Sequence, residues 1–419
     1  MAGRARRVRL WLLLALWLSL QPPTPAIAGT PPWPVAAGEP LAPPPAVLHP
    51  APGPDDPLYP ELADQAPALS ARAAVLLDAR TGAILYAHNA TMPREPASTT
   101  KVMTALLALE FGNLDDVVVV SRRAAATPGS RAHIAAGQRF RLRDLLYGLL
   151  LPSGNDAAIA IAEHISGSVP RFVALMNEQA QRLGMTGTRF RNPHGLPAPG
   201  HVSTALDLAR LTLRASHEPE FLRISCTRWQ EVCKLGSGQR LRWSNTNELL
   251  WSFPFIEGGK TGTTRAAGRC LVAVARRGSQ RLIAVVLNAP DRWGDVRRLF
   301  EWGFDRFALQ QAARIGDRLG EVPVRGGTIA QVPVIVDADL VAAVPAERAA
   351  DVRLRLDLPA AVDAPILAQQ RLGQAQLVLD GRVLAVADVR AAREVGRLTP
   401  LRRLTLWMFA LQRWLAPQR

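Results

Sequence analysis

Lysine is almost missing from a strongly basic chain. The 419 residues hold 50 Lys plus Arg and a formal net charge of +15, yet lysine occurs only at Lys101, Lys234 and Lys260. Guanidinium stays charged under any condition a protein meets, whereas a buried ammonium can be pushed toward neutrality. A chain that defaults to arginine therefore marks its lysines as places where a proton can be shed.

Cysteine is also scarce. Of Cys226, Cys233 and Cys270, the first two are close enough in sequence to be bridged, which would leave Cys270 in the apolar run CLVAVA as a buried free thiol. The seven histidines include no HExxH, and no Cys/His cluster has metal-ligand spacing. Neither a metal nor another cofactor is expected.

Long apolar runs are lacking too, apart from LWLLLALWLSL near the start. That run is short for a bilayer span, which needs roughly 20 residues. It follows Arg4, Arg6, Arg7 and Arg9 and precedes Ala26-Ile27-Ala28, so residues 1–28 read as a secretory signal with the mature chain beginning near Gly29. Export argues against nucleic acid as a partner. The remaining positive charge suits an anionic cell envelope or lipid head groups.

What the chain does contain is ordered in blocks. Residues 29–60 hold twelve prolines and favour extended segments, so 29–65 reads as a tether. AAVLLDARTGAILYAH, residues 73–88, reads as two strands joined at Arg80-Thr81-Gly82, and apolar helical patterns follow from about 98 to 223. Strand patterns return at Cys270–Val274 and Leu282–Leu287, hinged at Arg277-Gly278-Ser279, before a helix expected over Val296–Gln311. Strands, many helices, strands and a helix predict an α+β domain over 66–311, one sheet flanked by helices. Short alternating strands with turns at Arg325-Gly326-Gly327 and Asp380-Gly381 predict a second, β-rich domain over 312–395.

Three motifs carry chemistry. Ser98-Thr99-Thr100-Lys101 sets a hydroxyl and an amine three residues apart at an expected helix start, on one face. A neutral lysine there could take the serine proton, and the helix N-terminus aims backbone N–H groups at developing charge. Ser153-Gly154-Asn155 sits in a tight turn between an apolar run and a helix. Its serine could relay a proton and its amide hold a peptide carbonyl, although both residues also suit an ordinary helix cap. Lys260-Thr261-Gly262-Thr263 leads into the Cys270 strand, where Gly262 would let a substrate backbone approach a sheet edge. Alone, each has a bland reading; two of the three lysines fall in motifs.

Together the Ser-x-x-Lys, Ser-x-Asn and Lys-Thr-Gly elements match the set shared by penicillin-binding proteins and class A β-lactamases. The chain resembles the D-alanyl-D-alanine carboxypeptidases, the low-molecular-weight penicillin-binding proteins, over about 66–419. RNPHGLPAPGHVSTALDLARL, NTNELLW, EWGF and APILAQQRLGQAQLVLDG belong to that resemblance. It implies a penicillin-sensitive peptidase acting on peptidoglycan stem peptides, with Ser98 as nucleophile and Lys101 as general base. Ser153, Asn155 and Lys260 would assist proton transfer and hold the substrate, with Thr261 and Thr263 beside it. The oxyanion hole would map to the backbone N–H groups of Ser98 and Thr263. Arg292, counted back from EWGF, would receive the substrate carboxylate. His194 is expected to be structural. Many relatives have Asp after His-Gly-Leu where this chain has Pro197, which alters the bonding expected in that loop.

A class A β-lactamase would need a carboxylate to activate the deacylating water, usually on a Glu-x-x-x-Asn loop. None occurs between residues 155 and 260. A non-enzymatic envelope scaffold is a rival from another class, which the intact motifs and the selective lysines argue against, and a D,D-endopeptidase acting on crosslinks is a substrate variant within the same family. Finally, LTPLRRLTLWMFALQRWLAPQR, at the C-terminal end of the sequence, places apolar residues on one helical side with Arg402 and Arg413 opposite, so 396–419 reads as an amphipathic helix for an anionic membrane surface. The expected location is the periplasm, on the outer face of the inner membrane.

Overall fold

A computed structural model describes residues 57–399. The expected signal at 1–28, most of the proline-rich tether and the amphipathic segment beyond Thr399 lie outside these residues. Residues at the end of the proline-rich stretch are packed: Leu58, Tyr59 and Leu62 are buried around a short 3-10 helix, Pro60–Gln65.

Five antiparallel strands form the central sheet. In spatial order they are Ile84–His88, Ala73–Asp78, Gln280–Leu287, Gly268–Arg277 and Ile256–Thr264. Their sequences alternate between two cores rather than between core and water. Val75, Leu77, Val272, Val274, Ile283 and Val285 face the helices of residues 101–225. Leu76, Leu271, Ala273, Leu282, Ala284 and Val286 face the helix Arg292–Arg306 and a core continuous with the C-terminal strands. Burial on both faces explains why these strands read as nearly unbroken apolar runs. The strand order places Ile256–Thr264, its last member, at a sheet edge.

The helix Lys101–Phe111 runs through the first core, with Lys101 to Ala108 all buried. It starts directly after a 3-10 turn, Ala97–Thr100, which carries Ser98. Helices Leu142–Leu150, Asn155–Ser166, Val169–Arg182 and Ala205–Ser216 pack around it.

The last helix of this block differs from the sequence expectation of Val296–Gln311. It begins at Arg292, because the Asp291 side chain accepts from the Gly294 N–H at 3.0 Å, and it ends at Arg306. Phe307–Ala313, a sequence with good helix formers, is instead a strand paired with Leu340–Pro345. Tertiary pairing overrides local propensity there. Beyond it, strands between Arg318 and Ala391 build a six-stranded β-rich sheet. The Cys226–Cys233 bridge that the sequence leaves open is not formed: Cys226, Cys233 and Cys270 are all free thiols.

Candidate active site

The 3-10 turn, the start of the helix at Asn155 and the edge strand Ile256–Thr264 converge on Ser98 and Lys101. Lys101 is fully buried, and its Nζ lies 2.9 Å from Ser98 Oγ, 2.7 Å from Asn155 Oδ1 and 2.8 Å from the His194 carbonyl oxygen. Asn155 Nδ2 donates to the Pro128 carbonyl at 2.7 Å, which fixes the amide so that its oxygen faces the lysine. A neutral amine has two N–H donors and one lone pair. The Asn155 and His194 oxygens only accept, so they take both donors and leave the lone pair to the Ser98 hydroxyl proton.

Electrostatics favour that neutral form. Burial pushes the Lys101 pKa well below the usual lysine value, the Lys260 charge pushes the same way, and Asp156 partly opposes them. Asp156 is itself buried, accepting from the Ala132 and Ala157 N–H groups at 2.8 and 2.9 Å.

Neither residue of the Ser-x-Asn motif is a helix cap. Gly154 occupies the cap position without a side-chain bond, and Asn155 is the first helical residue. Ser153 is held at φ +63°, 6% exposed, and its Oγ has no hydrogen-bond partner among the described residues. A strained, buried hydroxyl without a partner costs stability, and such positions cluster at functional sites.

On the edge strand, Lys260 Nζ donates to the Thr261 carbonyl at 2.9 Å, and its pKa is lowered to about 7, chiefly by burial and then by Arg292. Gly262 lies against the nucleophile turn: a Cβ there would sit 3.0 Å from the Ser98 nitrogen. Arg292 Nη1 donates to the Gly262 carbonyl at 3.2 Å and to Thr263 Oγ1 at 3.0 Å. Every site residue expected from the sequence is thus brought to one region.

A D-alanyl-D-alanine carboxypeptidase family model (Peptidase S11) matches residues 61–291. The chain belongs to the D-alanyl-D-alanine carboxypeptidase family. A second model, the C-terminal domain of penicillin-binding protein 5, matches 307–397. The D-alanyl-D-alanine carboxypeptidase DacD of Salmonella typhimurium is 35% identical over 352 residues, covering 80% of this chain and 89% of that protein. DacF of Bacillus subtilis is 32% identical, covering 80% and 88%. Among solved structures, penicillin-binding protein 5 of Haemophilus influenzae superposes with a TM-score of 0.71 at 32% identity, over 79% of this chain and 99% of that one. The Streptomyces K15 DD-transpeptidase gives 0.55 at 33%, over 57% and 98%.

Some features of this family member were not singled out by sequence reasoning. Thr246 Oγ1 is 2.6 Å from Thr261 Oγ1, tying the NTNELLW stretch to the edge strand. In the loop with Pro197, Asn192 takes the bonding role: its Oδ1 accepts from Gly195 N–H at 2.7 Å and its Nδ2 donates to the Leu196 carbonyl at 2.9 Å. His194 meets Lys101 through its carbonyl, and burial lowers its imidazole pKa to about 3. Both stretches were visible as text, but nothing in their periodicity reports which polar atoms meet.

Proposed function

We propose that this chain is a serine-type D-Ala-D-Ala carboxypeptidase that removes the terminal D-alanine from peptidoglycan stem peptides through an acyl-serine intermediate. The observation that carries the reading is the buried Lys101 amine at 2.9 Å from Ser98 Oγ, with its two donors taken by Asn155 and His194.

In this reading Ser98 Oγ attacks the carbonyl carbon of the penultimate D-alanine while Lys101 Nζ takes the hydroxyl proton. The backbone N–H groups of Ser98 and Thr263 stabilise the oxyanion. The C–N bond breaks, and the departing amine of D-alanine receives a proton passed through Ser153, whose unpartnered hydroxyl is available for it. Water then attacks the acyl-serine, Lys101 again taking the proton, and the ester oxygen recovers its hydrogen. Lys260 and Arg292 bring positive charge to the edge strand, where the substrate's terminal carboxylate would lie. A β-lactam enters the same first step, but its leaving amine stays tethered and deacylation is blocked.

The arginines and apolar run within residues 1–28 and the basic amphipathic pattern of 396–419 support a periplasmic location on the outer face of the inner membrane. Among the described residues no helix is long and apolar enough to cross a membrane. Labelling with a fluorescent penicillin, followed by an assay of D-alanine released from a pentapeptide, tests the reading. Covalent labelling at Ser98 with D-alanine release supports it. Failure to label points to an inert scaffold, and rapid turnover of the penicillin to a β-lactamase.

A further inference from the structure

His201 has no part in the scheme above, yet it is buried at 2% exposure between the nucleophile turn and the loop that reaches Lys101. Its Nδ1 accepts from the Arg191 backbone N–H at 3.0 Å. That contact places the ring proton on Nε2, which lies 2.9 Å from Thr100 Oγ1 and donates to it. Thr100 is the last residue of the nucleophile's turn and directly precedes the general base. The Phe190 ring packs edge-on against the imidazole at 5.9 Å, fixing the ring plane.

The loop from Arg191 to His201 does two things at the site. It supplies the His194 carbonyl to Lys101 Nζ and presses Gly195 onto Ala97. It is also bonded further along the same helix, where Thr104 Oγ1 donates to the Pro193 carbonyl at 2.6 Å. His201 closes this loop at its base, joining its two ends and fastening them to Thr100.

Building on the carboxypeptidase reading, we propose that His201 is a positioning residue for acyl transfer. Through Thr100 it holds the Ser98–Lys101 turn, and through Arg191 it closes the loop that presents the His194 carbonyl to the lysine. Burial, and then the nearby Arg191 charge, lower the imidazole pKa to about 4, so the single-proton form that both bonds require is the one present near neutrality. The role is distinct from chemistry: no proton of the reaction passes through the ring. Its effect is to keep the two Lys101 donors occupied so that the lone pair stays on Ser98. Displacement of a reacting group by a fraction of an ångström to one ångström costs up to about a hundredfold in rate.

The test uses the full-length enzyme and a fluorescent penicillin, with rates expressed per titratable active site. His201→Phe keeps the ring packing against Phe190 and removes both hydrogen bonds. His201→Gln keeps a donor at the Nε2 position. The Phe variant is expected to acylate about ten- to a hundredfold more slowly, with the non-covalent dissociation constant for the penicillin within about twofold of wild type. The Gln variant is expected to recover most of that loss. A purely structural role would lower the yield of folded sites without changing the rate at each one. The inference is overturned if the Phe variant acylates each site at the wild-type rate, if the loss lies wholly in the dissociation constant, or if Gln is no faster than Phe. Should the Phe variant fail to fold, Thr100→Val removes the same bond from the other side, and a normal acylation rate there overturns it equally. A wild-type protein that is not acylated refutes the enzymatic reading, and this inference with it. A normal wild type with a normal Phe variant removes this inference alone.

Discussion

Gly195 lies so close to Ala97 that a Cβ on the glycine would sit 1.8 Å from the Ala97 carbonyl oxygen. Gly195 is also held at φ +89°, and Ala97, the residue before the nucleophile, at φ +48°. A left-handed glycine and a strained Ala97 thus pack backbone to backbone beside Ser98. Gly195→Ala cannot be absorbed by a side-chain movement, because the obstacle is backbone. Overpacking of this kind typically costs about 1–3 kcal/mol, and here the displaced atoms are those of the nucleophile turn. The expected outcome is a folded protein with a lowered melting temperature and acylation slowed by about a hundredfold. Penicillin labelling of the folded fraction reads it, and a variant labelling at the wild-type rate would show that the loop does not brace the turn.

Lys101→Arg keeps a basic side chain of similar bulk but stays charged and cannot present a lone pair. It should abolish acylation, as should Ser98→Ala, because general-base loss costs about a hundredfold to ten-thousandfold and more when nucleophile and base act as a unit. In the wild type, acylation should rise with pH as the buried, downshifted Lys101 loses its proton. An arginine variant that labels normally, or a flat profile from acid to alkaline pH, contradicts the assignment.

Lys260 gives a stability signature separate from catalysis. Its pKa is about 7 in the folded protein against an ordinary 10.5, so between those values the unfolded chain holds a proton that the native state has released. The unfolded state binds more protons, so this lysine's contribution to stability rises with pH across that window. Below about pH 7 the ammonium is buried in its charged form and the penalty is at its full, constant value. Lys260→Met should therefore melt higher than wild type at pH 7, with the gain shrinking by pH 9, while losing acylation activity. Calorimetry at both pH values checks it; a gain that does not change with pH would remove Lys260 as its source.

Much of this site was legible in the sequence because chemistry restricted residue type. Lysine in an arginine-rich chain pointed to Lys101 and Lys260 before any contact was known, whereas Arg292 came only from the family resemblance, counted back from EWGF. The strands around Cys270 and Leu282 were visible as apolar runs because both sheet faces are buried. What remained hidden depended on contacts between distant segments. His201 and Thr100 are 101 positions apart, and Thr246 and Thr261 meet through hydroxyls with no local pattern. FALQQAA reads as helix until its partner strand Leu340–Pro345 is in place.

Arg292 reaches the edge strand from the first turn of its helix, with its Nη1 on Gly262 and Thr263. If it receives the substrate carboxylate, Arg292→Gln should raise KM for a peptide ending in a free carboxylate by about thirtyfold, equivalent to about 2 kcal/mol. The same peptide with an amidated end should be little affected. Steady-state assays on the two peptides decide it: an equal loss on both would make Arg292 a support for the strand rather than a carboxylate receptor.

The C-terminal boundary of the β-rich domain sets where a truncation can be made. Val395 exchanges backbone hydrogen bonds with Ile366 at 2.9 Å, Thr328 N–H donates to the Gly396 carbonyl at 2.9 Å, and Leu398 N–H donates to the Gly326 carbonyl at 2.8 Å. A chain ending at 395 would lose the last two bonds; one ending after Thr399 keeps all of them. Wound as a helix, the sequence beyond would set Leu401, Leu404, Trp407, Met408, Leu411, Trp414 and Leu415 on one side, with Arg402 and Arg413 opposite. Tryptophans beside arginines suit a head-group boundary, and each arginine near an anionic surface adds roughly 1 kcal/mol of attraction. The protein ending after Thr399 is expected to melt within a few degrees of full length and to release D-alanine from soluble pentapeptide at the same rate. It should no longer sediment with vesicles containing anionic phospholipid. High salt should weaken binding of the full-length protein only in part, because the apolar side is insensitive to screening. A truncated protein that still sediments, or that unfolds, would instead assign the segment to packing on the enzyme's own surface.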